Sequence, residues 1–270
     1  MSLIKKIFDK AGIKRFYPIN VNEKVVQIPI HKGLGYANLR NAEPWMLELL
    51  RKLGGEEKIL LDAGMNVGQT LIAWKTLFPQ ATYIGFEPNK LCVNYVNGLI
   101  SKNSFSHCNV EPYGISTETG TTELFMLPKD KGDSTASIIK EFRPDDGRIS
   151  FKISTTKLSD FDYTNFDIAK VDVEGAELEV IQSVLEVRND AVFICEILPV
   201  YSTEHKSRLE RQEKIEKILK ENNYSLFRII KDMPLQLEEL TEIGIHSELE
   251  LCDYIFVPQT KKQEVLSKFK

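Results

Sequence analysis

The sequence predicts an α/β fold of the doubly wound kind, one mostly parallel sheet with helices on both faces. Three observations carry this reading. Apolar runs of strand length alternate with amphipathic stretches of helical period between Lys58 and Ile100. Strand, helix and strand succeed one another there within about 30 residues, a βαβ unit whose crossover requires parallel neighbours. The same alternation resumes at Ile168 after a break.

The chain has 270 residues, of which 42% are hydrophobic and 27% charged, enough for one large core or two small ones. Thirty-five Lys and Arg against 39 Asp and Glu give a net charge of -4, so no chain-wide positive field exists to hold a nucleic acid. The four cysteines, Cys92, Cys108, Cys195 and Cys252, form no Cys-x-x-Cys pair and read as free thiols in a reducing compartment. No apolar run of 18 residues and no secretory leader are evident, so the expected location is cytoplasmic.

Element by element, Leu3, Ile4, Ile7 and Phe8 fall at helical spacing opposite Lys5, Lys6, Lys10, Lys14 and Arg15, which predicts a short amphipathic helix. Val25 to Ile30 reads as a strand, and His31 to Tyr36 as a glycine-punctuated loop. Together residues 1–43 form an N-terminal extension to a domain over residues 44–270. From Pro44 a helix places Trp45, Met46, Leu49, Leu50 and Leu53 on one side and stops at Gly54-Gly55. Trp45 and Trp74 are expected in the core. Then come a strand at Lys58 to Asp62, a helix at Gln69 to Leu77, a strand at Thr82 to Glu87, a helix at Leu91 to Ile100 and a strand at Cys108 to Glu111.

Thr121 to Leu127 and Arg148 to Ser154 carry period-two patterning and read as antiparallel strands around a polar loop, Lys129 to Asp146. The Ser134-Thr135-Ala136-Ser137 run inside that loop suggests a lid over an acceptor. A strand at Ile168 to Asp172, a helix at Ala176 to Val187 and a strand at Ala191 to Ile197 follow. A charged helix from His205 to Lys220 and two last strands, Tyr224 to Ile230 and Leu251 to Val257, close the chain.

The chemistry concentrates at strand ends. Leu60-Leu61-Asp62-Ala63-Gly64-Met65-Asn66-Val67-Gly68-Gln69 runs from an apolar strand through a glycine turn into a helix, where backbone approaches a ligand closely and unpaired N–H groups point outward. Gly64 and Gly68 give G-x-x-x-G, which lacks the three-glycine rhythm of a dinucleotide fold, and no Walker A loop occurs. Asp62 at the strand end repels a pyrophosphate and suits an ammonium group, so the expected ligand has a positive centre. Twenty-five residues later Glu87, in Gly85-Phe86-Glu87-Pro88-Asn89, takes the position from which an acid accepts the hydroxyls of a ribose.

These two strings, with Lys170-Val171-Asp172-Val173-Glu174-Gly175-Ala176-Glu177 and the terminal Asp253-Tyr254-Ile255-Phe256-Val257-Pro258, resemble the FkbM-type family of S-adenosylmethionine-dependent methyltransferases from about Glu43 to Pro258. Met65 stands where the family usually has alanine, a turn position taken to present backbone. The resemblance implies a Rossmann-like class I methyltransferase sheet, usually seven-stranded with the last strand antiparallel. It also implies methylation of a hydroxyl on a small molecule, a sugar or glycan, or a polyketide-like acceptor. Asp62, Gly64, Asn66, Gly68, Glu87 and Pro88 are the expected cofactor contacts, with Tyr113 and Gly114 near the adenine from their place after the third strand.

Asp172 ends the fourth parallel strand at the switch of strand order, so Asp172 and Glu174 are expected near the transferring methyl as the catalytic pair. Three roles stay open for them: base or acceptor contact, a cap on the following helix for Glu174, or ligands of a divalent cation. Glu196 is a further pocket candidate, and His31 a lesser one. Two other functions compete with the methyltransferase: a nicotinamide-dependent oxidoreductase, disfavoured by the missing middle glycine, and a non-catalytic nucleoside-binding Rossmann protein.

Overall fold

The computed structural model describes residues 14–40, 43–128, 132–133, 136–138 and 147–270. An N-terminal hairpin joins β1 (Arg15–Val21) to β2 (Lys24–Ile30). Its two turn residues, Asn22 and Glu23, have positive φ of 47° and 61°, the twist that suits a two-residue hairpin. The amphipathic helix expected from Leu3 lies outside the described residues. Arg15, assigned to its basic side, instead opens β1, because Tyr17, Ile19 and Val21 meet the core at period two.

The elements of the parallel sheet follow in the expected order. Helix α1 (Pro44–Leu53) starts on its proline, and β3 (Ile59–Ala63), α2 (Gln69–Leu77), β4 (Thr82–Phe86), α3 (Lys90–Asn103) and β5 (Cys108–Glu111) come next. A small sheet then interrupts, with β6 (Gly114–Ile115), β7 (Gly120–Met126) and β8 (Ile149–Thr156) in the order β6-β8-β7. As the alternating pattern required, β7 and β8 are antiparallel, from Gly120 opposite Thr155 to Met126 opposite Ile149. The chain returns as β9 (Ile168–Val171), α4 (Glu177–Val187), β10 (Val192–Glu196) and α5 (Lys206–Glu221). It ends with β11 (Tyr224–Ile230), β12 (Gln236–Leu240), β13 (Asp253–Pro258) and α6 (Lys262–Ser267).

The main sheet has the order β12-β11-β13-β10-β9-β3-β4-β5. Strands β5, β4, β3, β9 and β10 are parallel, and β13 inserts antiparallel between β10 and β11. The seven expected strands are therefore present, with the last antiparallel, and β12 is an eighth. Its Gln-Leu-Glu-Glu-Leu sequence escapes a pattern search because an edge strand is short and half charged, which also discourages pairing with other chains.

Each strand sends alternate residues to the two faces. Leu60, Tyr83, Ile168 and Ile194 meet α1 to α3 and the hairpin, whereas Leu61, Ile84, Ala169 and Phe193 meet α4 and α5. Trp45 and Trp74 are buried in the first of these cores, as expected. Strand order reverses between β3 and β9, since β4 and β5 extend to one side and β9 and β10 to the other. A crevice opens at such a switch, above the carboxyl ends of the strands. Among the described residues no helix is long and apolar enough to cross a membrane.

Candidate active site

A cleft of about 300 Å³ lies over this switch point. One wall is the turn after β3. Gly64 has φ of 86°, and a Cβ there would fall 1.9 Å from the carbonyl oxygen of Asp172, so only glycine lets β3 and β9 close together at their tips. The N–H groups of Gly64 and Met65 both donate to the carbonyl of Phe86, at 3.0 and 3.2 Å, which ties the turn to β4. Asn66 then takes a left-handed conformation, φ 43°, and Gly68 another, φ 78°, before α2 begins. Met65 does more than present backbone. Its side chain is buried over Gly85, where a Cβ would meet its sulfur at 2.6 Å.

Glu87, just beyond β4, completes this wall. The N–H of Asn66 donates to its Oε2 at 3.0 Å and that of Asn89 to its Oε1 at 2.8 Å. Burial pushes its carboxyl up to about 7, although those two backbone bonds favour the charged form. Asn89 also caps α3, its Oδ1 accepting from the N–H of Leu91 at 3.0 Å.

The opposite wall carries charged side chains. The Lys170 ammonium lies 3.0 Å from Asp172 Oδ2 and 3.7 Å from Asp62 Oδ1. Burial opposes its charge, but Asp172, Asp62 and Glu43 outweigh that and hold it well above the usual lysine range. Glu196 at the end of β10 has its carboxyl raised, first by burial and then by Asp172, Asp253 and Glu174. Asp253 opens β13 and pairs with Lys231 at 2.5 Å. Among the described lining residues, Glu43, Glu87, Asp133, Asp172, Glu174 and Glu196 face a single lysine, Lys170.

Of the residues singled out by the sequence, Gly64, Asn66, Glu87, Pro88, Gly114, Asp172, Glu174 and Glu196 line this cleft. Asp62, Gly68 and Tyr113 do not. Asp62 is 0% exposed and turns toward Tyr83, whose hydroxyl donates to Oδ2 at 2.6 Å, and toward Lys170. Burial raises its carboxyl, with Lys170 and Tyr83 opposing. The cation it was expected to meet in a ligand is supplied from within the protein. Gly68 packs against Val96 and Leu99, and Tyr113 sits edge-on to Phe161. His31 bridges to Leu34 away from the cleft lining.

The chain turns sharply beyond β9. Strand β9 ends at Val171 and Glu174 has φ of 52°, so Asp172 and Glu174 do not share one extended segment. Helix α4 has no side-chain cap at its N-cap residue, Ala176; instead Glu177 reaches back, its Oε1 accepting from the N–H of Gly175 at 2.7 Å. Among the described residues no group of three His, Cys, Asp or Glu is arranged to hold a metal ion.

Part of the Lys129 to Asp146 loop does reach the site. Asp133, Ala136 and Ile138 line the cleft, and the carbonyl of Gly132 accepts from Asn66 Nδ2 at 3.4 Å. Asp133 is fixed by the N–H of Leu127 at 2.8 Å and by Arg148 at 3.2 Å. Ser134 and Thr135, from the run read as a lid, lie outside the described residues.

Sequence reasoning passed over Lys170 although it opens one of the strings that carry the family resemblance. The signal was its place in the apolar strand Ile168-Ala169-Lys170-Val171, because a lysine in a buried strand needs partners. Glu43, Gln69, Thr70 and Asp133 also line the cleft, and nothing in their local sequence distinguishes them.

Comparison with known proteins finds methyltransferases among its relatives. "Methyltransferase sdnD" of Sordaria araneosa is 28% identical over 156 residues, 47% of this chain and 60% of that protein. "Methyltransferase 1" of Beauveria bassiana (strain ARSEF 2860) is 23% identical over 151 residues, 47% of this chain and 58% of that one. The chain thus spans less than two thirds of the length of these relatives. Among solved structures, the protein PH0793 of Pyrococcus horikoshii covers 94% of this chain and 80% of its own at 12% identity and a TM-score of 0.46. TYW2 of P. horikoshii, solved with MeSAdo, covers 90% and 71% at 12% identity and a TM-score of 0.44. Likenesses this distant say nothing of substrate. The profile of the methyltransferase FkbM domain matches residues 62–226, well over half of the sequence, and the chain belongs to that family.

Proposed function

We propose that the protein transfers a methyl group from S-adenosylmethionine to a hydroxyl of a small-molecule acceptor, such as a sugar, a glycan or a polyketide. The observation that carries this reading is Glu87. Its two oxygens are each held by one backbone N–H, which leaves lone pairs for the paired hydroxyls of a ribose at the tip of β4. The donor set fits the whole ligand: a nucleoside with a cationic centre suits a cleft of six carboxylates and one ammonium, whereas the pyrophosphate of a nicotinamide cofactor does not.

Bound S-adenosylmethionine supplies an activated methyl on a sulfonium. The chain's own residues do the rest. Gly64, Asn66, Glu87, Pro88 and Gly114 hold the nucleoside, and Asp62 supports the turn from beneath. Asp172, at the tip of β9, accepts the proton of the acceptor hydroxyl as the new C–O bond forms, and Glu174 contacts the acceptor. Alignment of two reactants in one cleft supplies much of the acceleration, about 7 to 11 kcal/mol in well-oriented cases.

The test is calorimetric titration with S-adenosylhomocysteine, followed by transfer of labelled methyl to a mixed panel of saccharides and polyketides. Binding with 1:1 stoichiometry and label in a hydroxylated acceptor support the reading. No heat of binding ends it, and binding without transfer to any acceptor favours a non-catalytic nucleoside-binding role.

A further inference from the structure

The three strand tips under the cleft share an ion chain that neither nucleoside binding nor packing explains. Asp62 on β3 stands directly opposite Lys170 on β9 in the parallel register. The Tyr83 hydroxyl, from β4, fixes Asp62 Oδ2 at 2.6 Å, and Lys170 bridges from Asp62 Oδ1 to Asp172 Oδ2. Gly85 makes the room for this, since a Cβ there would lie 3.0 Å from the Tyr83 hydroxyl oxygen. Asp62 and Tyr83 are fully buried and Lys170 is 7% exposed. Burying three such groups is costly, and an apolar trio would pack the same space without it.

The charges do not cancel. One ammonium between two carboxylates leaves one negative charge, and of the two carboxylates only Asp172 lines the cleft. Asp62 Oδ1 makes no hydrogen bond, so its neutralisation comes from Lys170. With Asp62 meeting the charge of Lys170 from below, Asp172 is gripped by one oxygen without giving up its own charge to the pair.

We propose that Lys170 is a positioning residue for Asp172: anchored by Asp62, which Tyr83 anchors in turn, it fixes the orientation of the Asp172 carboxylate toward the cleft. The inference rests on the reading of Asp172 as the proton acceptor. Lys170 is the one cation among the described lining residues, and Asp172 otherwise faces acids: Glu43 before α1, Glu87 after β4, Glu196 on β10 and Asp253 on β13, with Glu174 after β9 also lining the cleft and Lys231 beyond Asp253.

The test uses the full chain and needs no acceptor. Lys170→Met alone strands a buried carboxylate, so it is combined with Asp62→Asn, which removes both buried charges and leaves an oxygen for Tyr83. With 15N-labelled lysine, the ammonium signal missing from this double variant belongs to Lys170. It is expected to persist to about pH 9 in the wild type and to broaden into exchange with water in Asp172→Asn. A signal indifferent to Asp172→Asn overturns the proposal.

A second readout is spectroscopic and follows the anchor. In Asp62→Asn the Lys170 signal is expected to broaden as well, because the carboxylate that holds the ammonium from below is lost. A Lys170 signal indifferent to Asp62→Asn also overturns the proposal. If the wild type does not bind S-adenosylhomocysteine, the functional reading fails, and the lysine signal still decides the place of Lys170.

Discussion

The two walls of the cleft are made of different things. The wall from β3 and β4 is backbone: a glycine turn, two left-handed residues, and amide N–H groups that converge on Glu87. The wall from β9 and β10 is charge: Asp172, Glu174, Glu196 and Lys170, with Asp253 of β13 behind them. The first is set by sterics, which tolerate little change, and the second by a balance of charges, which a substitution retunes without unfolding the chain. Substitutions on the first wall should therefore damage the fold or binding, and those on the second should change the chemistry.

Gly64→Ala puts this contrast to its hardest test. A Cβ 1.9 Å from the Asp172 carbonyl oxygen, at φ of 86°, should cost about 3 kcal/mol or more and leave little folded protein, read by urea denaturation. On the other wall, Asp172→Asn should leave S-adenosylhomocysteine affinity within about threefold while lowering methyl transfer about 10²- to 10⁴-fold, a split that calorimetry and labelled-methyl transfer resolve. An equal loss of binding would erase the distinction between the walls.

Glu87→Ala should weaken S-adenosylhomocysteine binding about 100-fold, since two hydroxyl bonds to a carboxylate are lost and two backbone N–H groups are stranded. The pH dependence sharpens this. The Glu87 carboxyl has an ordinary value of 4.5 and is pushed up to about 7 by burial. The folded chain therefore holds a proton that the unfolded chain has released, and stability falls as pH rises from about 4.5 through about 7. Glu177, pushed up to about 7 by burial, adds in the same direction. Ligand binding has the opposite sign, because the hydroxyls of the ribose need the carboxylate. Melting temperature without ligand should drop between about pH 5 and 8 while the stabilisation added by S-adenosylhomocysteine grows, and Glu87→Gln should lessen the first trend, which Glu177 still carries, and flatten the second.

Asn89→Ala, which removes the cap of α3 beside the same wall, should cost only about 1 kcal/mol in denaturant unfolding. A much larger loss would mean that the capping bond also braces Glu87.

The backbone wall was readable in the sequence because its parts are local. Gly64, Asn66 and Glu87 lie within one βαβ unit, and a glycine turn followed one strand later by an acid has few structural solutions. Asp172 and Glu196 were found by counting strands to their carboxyl ends. Asp62 was placed at a strand end correctly, but its pairing with Lys170 was not legible, since the sequence does not say which strand lies beside β3. Tyr113 was assigned from its place in the chain alone, and its ring belongs to an aromatic cluster with Phe161. Strand β1 was missed because the basic residues before it continue a helical spacing into Arg15.

By itself the sequence determined the fold class, the strand–turn–helix over Gly64 and the acid one crossover later, because periodicity and glycine spacing act between residues close along the chain. The tertiary structure alone decided that Lys170 stands between Asp62 and Asp172, that Tyr83 reaches Asp62, and that the β7–β8 excursion brings Asp133 to the cleft. Buried charges choose partners through space, and the register of β3 against β9, joining positions more than a hundred residues apart, sets which charges meet.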